Sequence, residues 1–218
     1  MPGRAILMRD LEIALEKLRD FINPVESLEQ YRTPGDIAAL MVWEANLRND
    51  LSRGVVVDMG CGTGVLTYGS LLLGASNALC LDIDWSALYV AKENLAVFSG
   101  RFDLVAGDAK HLPMRPLLDK CTVIMNPPFG VKKRGADVEF LNVALSECFT
   151  VYSLHKYSLE SLKLISKVAE DLGFSFSVLA KATMTLKQRL RHHRKKTYRF
   201  EVALIRLVRT SEWRGIKR

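Results

Sequence analysis

Residues 54–64 read GVVVDMGCGTG. Three consecutive valines ending on Asp58 form a short, β-branched apolar run of the kind that makes a buried strand. Gly60, Gly62 and Gly64 then occupy alternate positions. Glycines there let the backbone turn tightly and let a ligand approach with no Cβ in the way. A helix is expected over about 64–73. A GxG pattern by itself is a weak signal, and GxGxG departs from the dinucleotide spacing GxGxxG. The order strand, glycine turn, helix is what gives it weight, because that order opens a nucleotide-type binding unit.

Working outward, the pattern alternates. Strands are expected at 77–84 (NALCLDID), 102–108 (FDLVAGD), 121–126 (CTVIMN) and 150–155 (TVYSLH), with helices near 85–98, 137–148 and 158–172. Two further strands, 174–184 and 198–208, have little helix between them. Strand–helix alternation predicts an α/β fold: a doubly wound, mostly parallel sheet of Rossmann-like type, with the last two strands as an antiparallel edge. Ahead of it, Leu7, Leu11, Leu15, Leu18 and Ile22 recur at helical spacing over 5–22, stopped by Pro24. Thr33 is expected to cap a second helix, with Pro34 at its first position and Asp36 in its first turn. No repeat or low-complexity linker divides the chain, so residues 1–218 are read as one domain, with the helices of 1–50 ahead of the sheet.

The 218 residues are 49% hydrophobic and carry a net charge of +7. That supports a sizeable core and makes a polyanion, nucleic acid first, a plausible partner. Cys61, Cys80, Cys121 and Cys148 contain no CxxC pair and sit in apolar or glycine-rich contexts, so they are read as reduced core cysteines. The start is not signal-like, and no apolar run is long enough to span a bilayer. The expectation is an intracellular, cytoplasmic, soluble protein with no membrane partner.

Three consecutive strands end in acid: Asp58, Asp82 and Asp108. At the carboxyl edge of a parallel sheet these face the ligand crevice. A carboxylate at Asp82 can accept both hydroxyl hydrogens of a ribose, and Asp108 can accept from an adenine amine. Single aspartates favour strand ends and caps anyway. Three beside a glycine loop point to a nucleoside-type cofactor. Asp84 is read as the cap of the helix beginning at Trp85.

The fourth strand stops in VIMNPPFG, residues 123–130. Two prolines forbid further ladder bonding. They also stiffen a site for an amine on a flat π-system, whose delocalised lone pair makes it a poor nucleophile. The Asn126 side-chain oxygen and the Pro127 carbonyl can hold both amine hydrogens, favour the charge that develops on nitrogen and aim the lone pair at an electrophile. Pro128 adds rigidity. Phe129 offers a face on which a base can stack, once that base has left its own stack. This chemistry needs no classical general base.

These residues together resemble a class I S-adenosylmethionine-dependent methyltransferase of the amino-methylating type. DMGCGTG is similar to its first motif, Asp82 to the ribose acid, Asp108 to the adenine-side acid and NPPF to the amine motif. LEQYRTP (28–34), the LDID segment, GADVEFL (135–141), VYSLHK (151–156) and EVALIR (201–206) narrow the resemblance to the small-subunit ribosomal RNA adenine-N6 methyltransferase family, in order over about residues 28–208. The resemblance implies S-adenosyl-L-methionine as cofactor and one adenosine of that RNA as target. It implies that Gln30 and Thr33 close over the methionine end, and that Thr63, Val65 and Ala109 line the cofactor. A small zinc-binding activator protein accompanies eukaryotic members. Val131 stands where a small hydroxyl residue is expected, and Thr63 where some members carry Cys. A protein glutamine N5-methyltransferase offers the same planar amide chemistry, although its motif usually ends in Tyr. The same residues also leave room for DNA adenine methylation and for a non-catalytic RNA-binding module.

From Lys181 to Phe200 there are eight basic residues and no acid: Lys181, Lys187, Arg189, Arg191, Arg194, Lys195, Lys196 and Arg199. Such a run is commonly a solvated face. Placed between two strands near Tyr198 and Phe200, segment 181–199 reads as an RNA-contacting loop. Lys132, Lys133 and Arg134 follow the amine motif and can guide a strand into the crevice. His192 and His193 lack the companions of a metal site, and no metal is expected. His155 is read as a packed strand-end histidine.

Overall fold

The computed structural model describes residues 6–111, 121–130, 135–187 and 197–210. Seven strands form one sheet: β1 Val55–Met59, β2 Asn77–Asp82, β3 Phe102–Ala106, β4 Cys121–Met125, β5 Thr150–Lys156, β6 Phe174–Lys187 and β7 Thr197–Arg209. Their order is β3-β2-β1-β4-β5-β7-β6. β1 to β5 run parallel to one another, and β7 runs antiparallel to both β5 and β6. The expected antiparallel edge is therefore a two-stranded one, with β6 outermost.

The helices are α1 Met8–Glu16, α2 Gly35–Leu47, α3 Val65–Leu72, α4 Trp85–Asn94, α5 Ala136–Glu147 and α6 Leu159–Asp171. Strand side chains alternate between two cores, as a period of two requires. Val56, Ile124, Tyr152 and Leu204 enter the core made with α1 to α4. Val57, Val123, Val151 and Ile205 enter the core made with α5 and α6. Every residue of β4 is buried. A strand covered on both faces is selected as a continuous apolar run rather than an alternating one.

Sheet order reverses between β1 and β4, and ligands bind at such a switch point outside the carboxyl ends of the strands. The opposite end is tied by a polar knot. Asp50, 1% exposed, accepts from the Tyr152 hydroxyl (2.7 Å) and pairs with Arg206 Nη2 (2.8 Å). Its carbonyl accepts from Thr122 Oγ1 (2.8 Å) on β4.

Three local expectations are corrected. The first helix stops at Glu16 rather than running to residue 22. Arg32 Nη1 donates to the carbonyls of Glu16 (3.0 Å) and Leu18 (2.6 Å), and the Arg19 amide donates to Asn94 (2.9 Å), so tertiary polar contacts end the helix. Thr33 does not cap α2, whose N-cap is Pro34, because its hydroxyl accepts from Asn126 (3.0 Å). The cysteines are paired, not reduced: Cys61 with Cys80 and Cys121 with Cys148. Adjacent elements bring their Cα atoms to 5.5 and 5.1 Å, within bonding reach. Closing loops of 19 and 27 residues is expected to stabilise the fold by roughly 3 kcal/mol each. Dithiothreitol should lower the urea midpoint accordingly. An unchanged midpoint, with four thiols titrating before reduction, would refute the pairing.

Candidate active site

One cavity of about 300 Å³ lies over the carboxyl ends of β1 to β4. Its wall includes Gln30, Thr33, Asp58, Gly60, Gly62, Thr63, Val65, Asp82, Asp108, Ala109, Asn126 and Pro128. Twelve residues chosen from sequence thus converge on one space. Three others do not line it. Gly64 is the N-cap of α3 at φ 78°, where a Cβ would meet Ala91 at 3.2 Å, so it serves close helix packing. Pro127 is buried, and Phe129 packs behind Tyr31. Lys132, Lys133, Arg134, Arg189, Arg191, Arg194, Lys195, Lys196 and the side chain of Lys187 lie outside the described residues, as do His192 and His193.

The glycine loop is held against its surroundings. The amides of Gly60 and Cys61 donate to the Leu81 carbonyl, and the Gly62 amide donates to Asp82 Oδ2 (2.8 Å). A Cβ on Gly62, at φ 53°, would meet the Phe21 ring at 2.7 Å. Any larger residue would have to push the Phe21 ring aside while holding a left-handed backbone conformation. Asn94 donates to the carbonyls of Thr63 (2.8 Å) and Arg19 (2.9 Å), joining the loop to the Phe21 segment.

Asp58 is 1% exposed. Burial pushes its carboxyl up to about 7, although Thr67 opposes this by donating from its hydroxyl (2.7 Å) and amide (2.9 Å) to Oδ2. Asp58 Oδ1 and Thr63 Oγ1 are buried with no hydrogen-bond partner among the described residues. Two orphaned acceptors in a cavity wall suit a ligand carrying its own donors, such as the ammonium of an amino-acid moiety. Burial also raises the Asp82 carboxyl, and the amides of Asp84 and Gly62 counter it. Asp84 caps α4 through Ser86 N (2.8 Å), as expected, and accepts from Gln30 Nε2 (2.8 Å). Asp108 accepts from the Lys110 amide (3.0 Å).

At the amine motif, Asn126 Nδ2 donates to Thr33 Oγ1 (3.0 Å) and Oδ1 accepts from the Tyr31 hydroxyl (3.4 Å). The carboxamide is thereby held at both ends by one short segment. The Phe129 ring lies nearly parallel to Tyr31, with centroids 5.9 Å apart at 14°, and meets Phe200 edge-on at 5.1 Å.

His155 is fully buried, its Nε2 bonded with Ser153 Oγ (2.9 Å) and its Nδ1 with Asp137 Oδ2 (3.1 Å). It packs as expected. Lys181 is not a free cation: Glu201 pairs with it at 2.8 Å and the Tyr157 ring lies under it at 4.1 Å. Sequence reasoning assigned no role to Tyr31, Phe21, Ile83 or Phe140, which also line the cavity. Tyr31 had a signal, since it sits between two chosen residues, Gln30 and Thr33.

Comparison with known proteins agrees with this geometry. The family model described as ribosomal protein L11 methyltransferase (PrmA) matches residues 38–112. That span holds the glycine loop, Asp82 and Asp108 but not the amine motif, so it speaks to the cofactor half alone. The rRNA N(6)-adenosine-methyltransferase METTL5 of Danio rerio is 35% identical over 93% of this chain and 99% of its own length. Its Drosophila melanogaster counterpart is 36% identical over 89% and 93%. The solved structure of PH1948 from Pyrococcus horikoshii superposes with a TM-score of 0.84 at 39% identity, covering 95% of this chain and 98% of that one. Fold and crevice define a class I methyltransferase, whose methyl donor is S-adenosyl-L-methionine. The chain belongs to the METTL5 family of rRNA N(6)-adenosine-methyltransferases.

Proposed function

We propose that this protein transfers a methyl group from S-adenosyl-L-methionine to the N6 amine of an adenosine in small-subunit ribosomal RNA. The observation that carries the reading is Asn126: its carboxamide is held from both ends beside the cavity, with Oδ1 turned to accept a hydrogen. Bound there, the cofactor supplies an electrophilic methyl on a sulfonium. Asp82 takes the ribose hydroxyls and Asp108 the adenine side. Asp58 Oδ1 takes the methionine ammonium, and Gln30 and Thr33 close over that end. Gly60, Gly62, Thr63, Val65 and Ala109 complete the wall.

Asn126 Oδ1 and the Pro127 carbonyl accept the two hydrogens of the target amine and aim its lone pair at the methyl. Pro128 stiffens the turn, and Phe129 carries the base. As the N–C bond forms, the sulfonium S–CH3 bond breaks with its electron pair left on a neutral thioether sulfur, positive charge grows on nitrogen, and both acceptors stabilise it. One amine proton then leaves to solvent, so no protein base is required. Lys132, Lys133, Arg134 and the basic segment around 187–196 bind phosphates. A small zinc-binding activator is a candidate partner through the same family likeness. Among the described residues no helix is long and apolar enough to cross a membrane.

The test is incubation of the purified chain with labelled S-adenosylmethionine and total RNA from its own cells, beside DNA and protein fractions. Label in N6-methyladenosine of the small ribosomal RNA is expected. Label in the protein fraction would replace this reading with glutamine methylation, and label in DNA would move the substrate.

Asp58 adds a pH signature. Its carboxyl, raised to about 7, ionises as pH rises through that value. An ionised acid pairs with an ammonium, whereas a protonated one does so weakly. S-adenosylmethionine should therefore bind about five- to tenfold more tightly at about pH 7.5 than at about pH 6, a range in which most of an α-ammonium is protonated. Titration calorimetry should show proton release on binding. Asp58→Asn should flatten the dependence, and an equally steep profile in that variant would remove Asp58 from the role.

A further inference from the structure

We propose that Tyr31 is a built-in stand-in for the target base, occupying its place on Phe129 and Asn126 until the base displaces it. This rests on the amine-methylating reading of the same site. That reading gives the bound base two contacts, a π-face against Phe129 and a donor to Asn126 Oδ1. Tyr31 already makes both. Its ring is 14° from parallel to Phe129 with centroids 5.9 Å apart, and its hydroxyl donates to Asn126 Oδ1 at 3.4 Å. Burial, with Glu29 nearby, raises the phenol and keeps it protonated as a donor.

Spacing decides between displacement and a sandwich. A base stacked between two rings needs about twice the ~3.4 Å thickness of one stacked layer, or about 7 Å. The 5.9 Å between these centroids, which includes any lateral offset, is too small. The base therefore replaces the Tyr31 ring rather than joining it. The neighbouring residues Gln30 and Thr33 are tied through their side chains. Gln30 bonds Asp84 (2.8 Å) and the Val25 amide (2.7 Å), and Thr33 bonds Asn126 (3.0 Å). The movement is accordingly a rotation of the side chain, which leaves the Thr33 tie in place and the carboxamide still aimed. At 3.4 Å the hydroxyl contact is long, as suits a contact that must be given up.

The test uses the full chain saturated with S-adenosylhomocysteine, so that the cofactor pocket is filled, with free adenosine as the probe and its binding followed by NMR. Tyr31→Phe keeps the ring and the packing but removes the hydroxyl, and should bind adenosine about threefold more tightly than wild type. Tyr31→Ala removes the stacked ring as well, and should bind it at least about tenfold more tightly. Affinity that is equal or weaker in both variants would overturn the proposal, because Tyr31 would then be a wall of the base site rather than its occupant. The adenosine readout needs no methyl transfer. A chain that labels no RNA while its Tyr31→Ala form takes up adenosine would overturn the RNA-methylating reading and leave Tyr31 as the occupant of a base site only.

Discussion

Asn126→Ala should lower methyl transfer to RNA by at least about 10²–10³-fold, the scale on which a preorganised transition-state contact acts. The affinity for S-adenosylmethionine should change little. The reason is the division of labour in the cavity. Asn126 bonds Thr33 and Tyr31, whereas the glycine loop is held by Asp82 and Leu81 and the orphaned acceptors belong to Asp58 and Thr63. On the proposed roles, truncating Asn126 removes the acceptor for the amine without touching the bonds that hold the glycine loop. Single-turnover transfer and equilibrium cofactor binding, measured on the same preparation, separate the two. Loss of both together would mean that Asn126 works through Thr33 as a tie for segment 30–33, and the amine role would have to be given up.

The second large effect concerns stability alone. Arg206→Leu should destabilise the fold by about 3 kcal/mol, toward the lower end for a broken buried pair, because the Arg206 side chain keeps 21% exposure. The variant strands Asp50 against Tyr152, with only Arg53, 54% exposed and 3.5 Å from Oδ1, left to compensate. Replacing both members, as Asp50→Leu with Arg206→Leu, should recover most of the loss, since the cost lies in the uncompensated charge. Thr122, tied to Asp50, is the second residue of β4, and Asn126 follows its end, so the knot and the amine motif sit at opposite ends of that strand. Cofactor affinity at a temperature where both proteins are folded should therefore match wild type. A loss below about 1 kcal/mol in the single variant would show the pair to be ornamental to stability.

What could be read from the chain follows from local physics. The valine run, the alternating glycines and the acid-ended strands each state their geometry within ten residues, and Asp58, Gly60, Gly62, Asp82 and Asp108 do line the cavity. The end of α1 was not legible, because its stop comes from Arg32, a residue distant in sequence that covers the carbonyls of Glu16 and Leu18. Thr33 carries a capping residue's sequence signature, and only the approach of Asn126 diverts its hydroxyl. Cysteine pairing was hidden for the same reason. Cys61 and Cys80 are 19 residues apart and meet because β1 and β2 are neighbours. Tyr31 was given no role from sequence, because its place against the Phe129 ring depends on contact between segments far apart in the chain.

β6 and β7 are 14 and 13 residues long, against five to seven for the other strands. β7 pairs with β5 only from Val202 onward, so Thr197–Phe200 and their partners on β6 continue past the crevice as a ribbon of two strands. Four residues of strand amount to about 14 Å. Phe200 stands at the root of this ribbon against Phe129, while Lys187 and Thr197 at its tip flank the basic stretch. If the basic stretch grips RNA as proposed, the ribbon acts as a ruler that fixes the distance between that grip and Phe129. Strand length, and not any contact with the reacting adenine, would then set the footprint of the enzyme on its substrate.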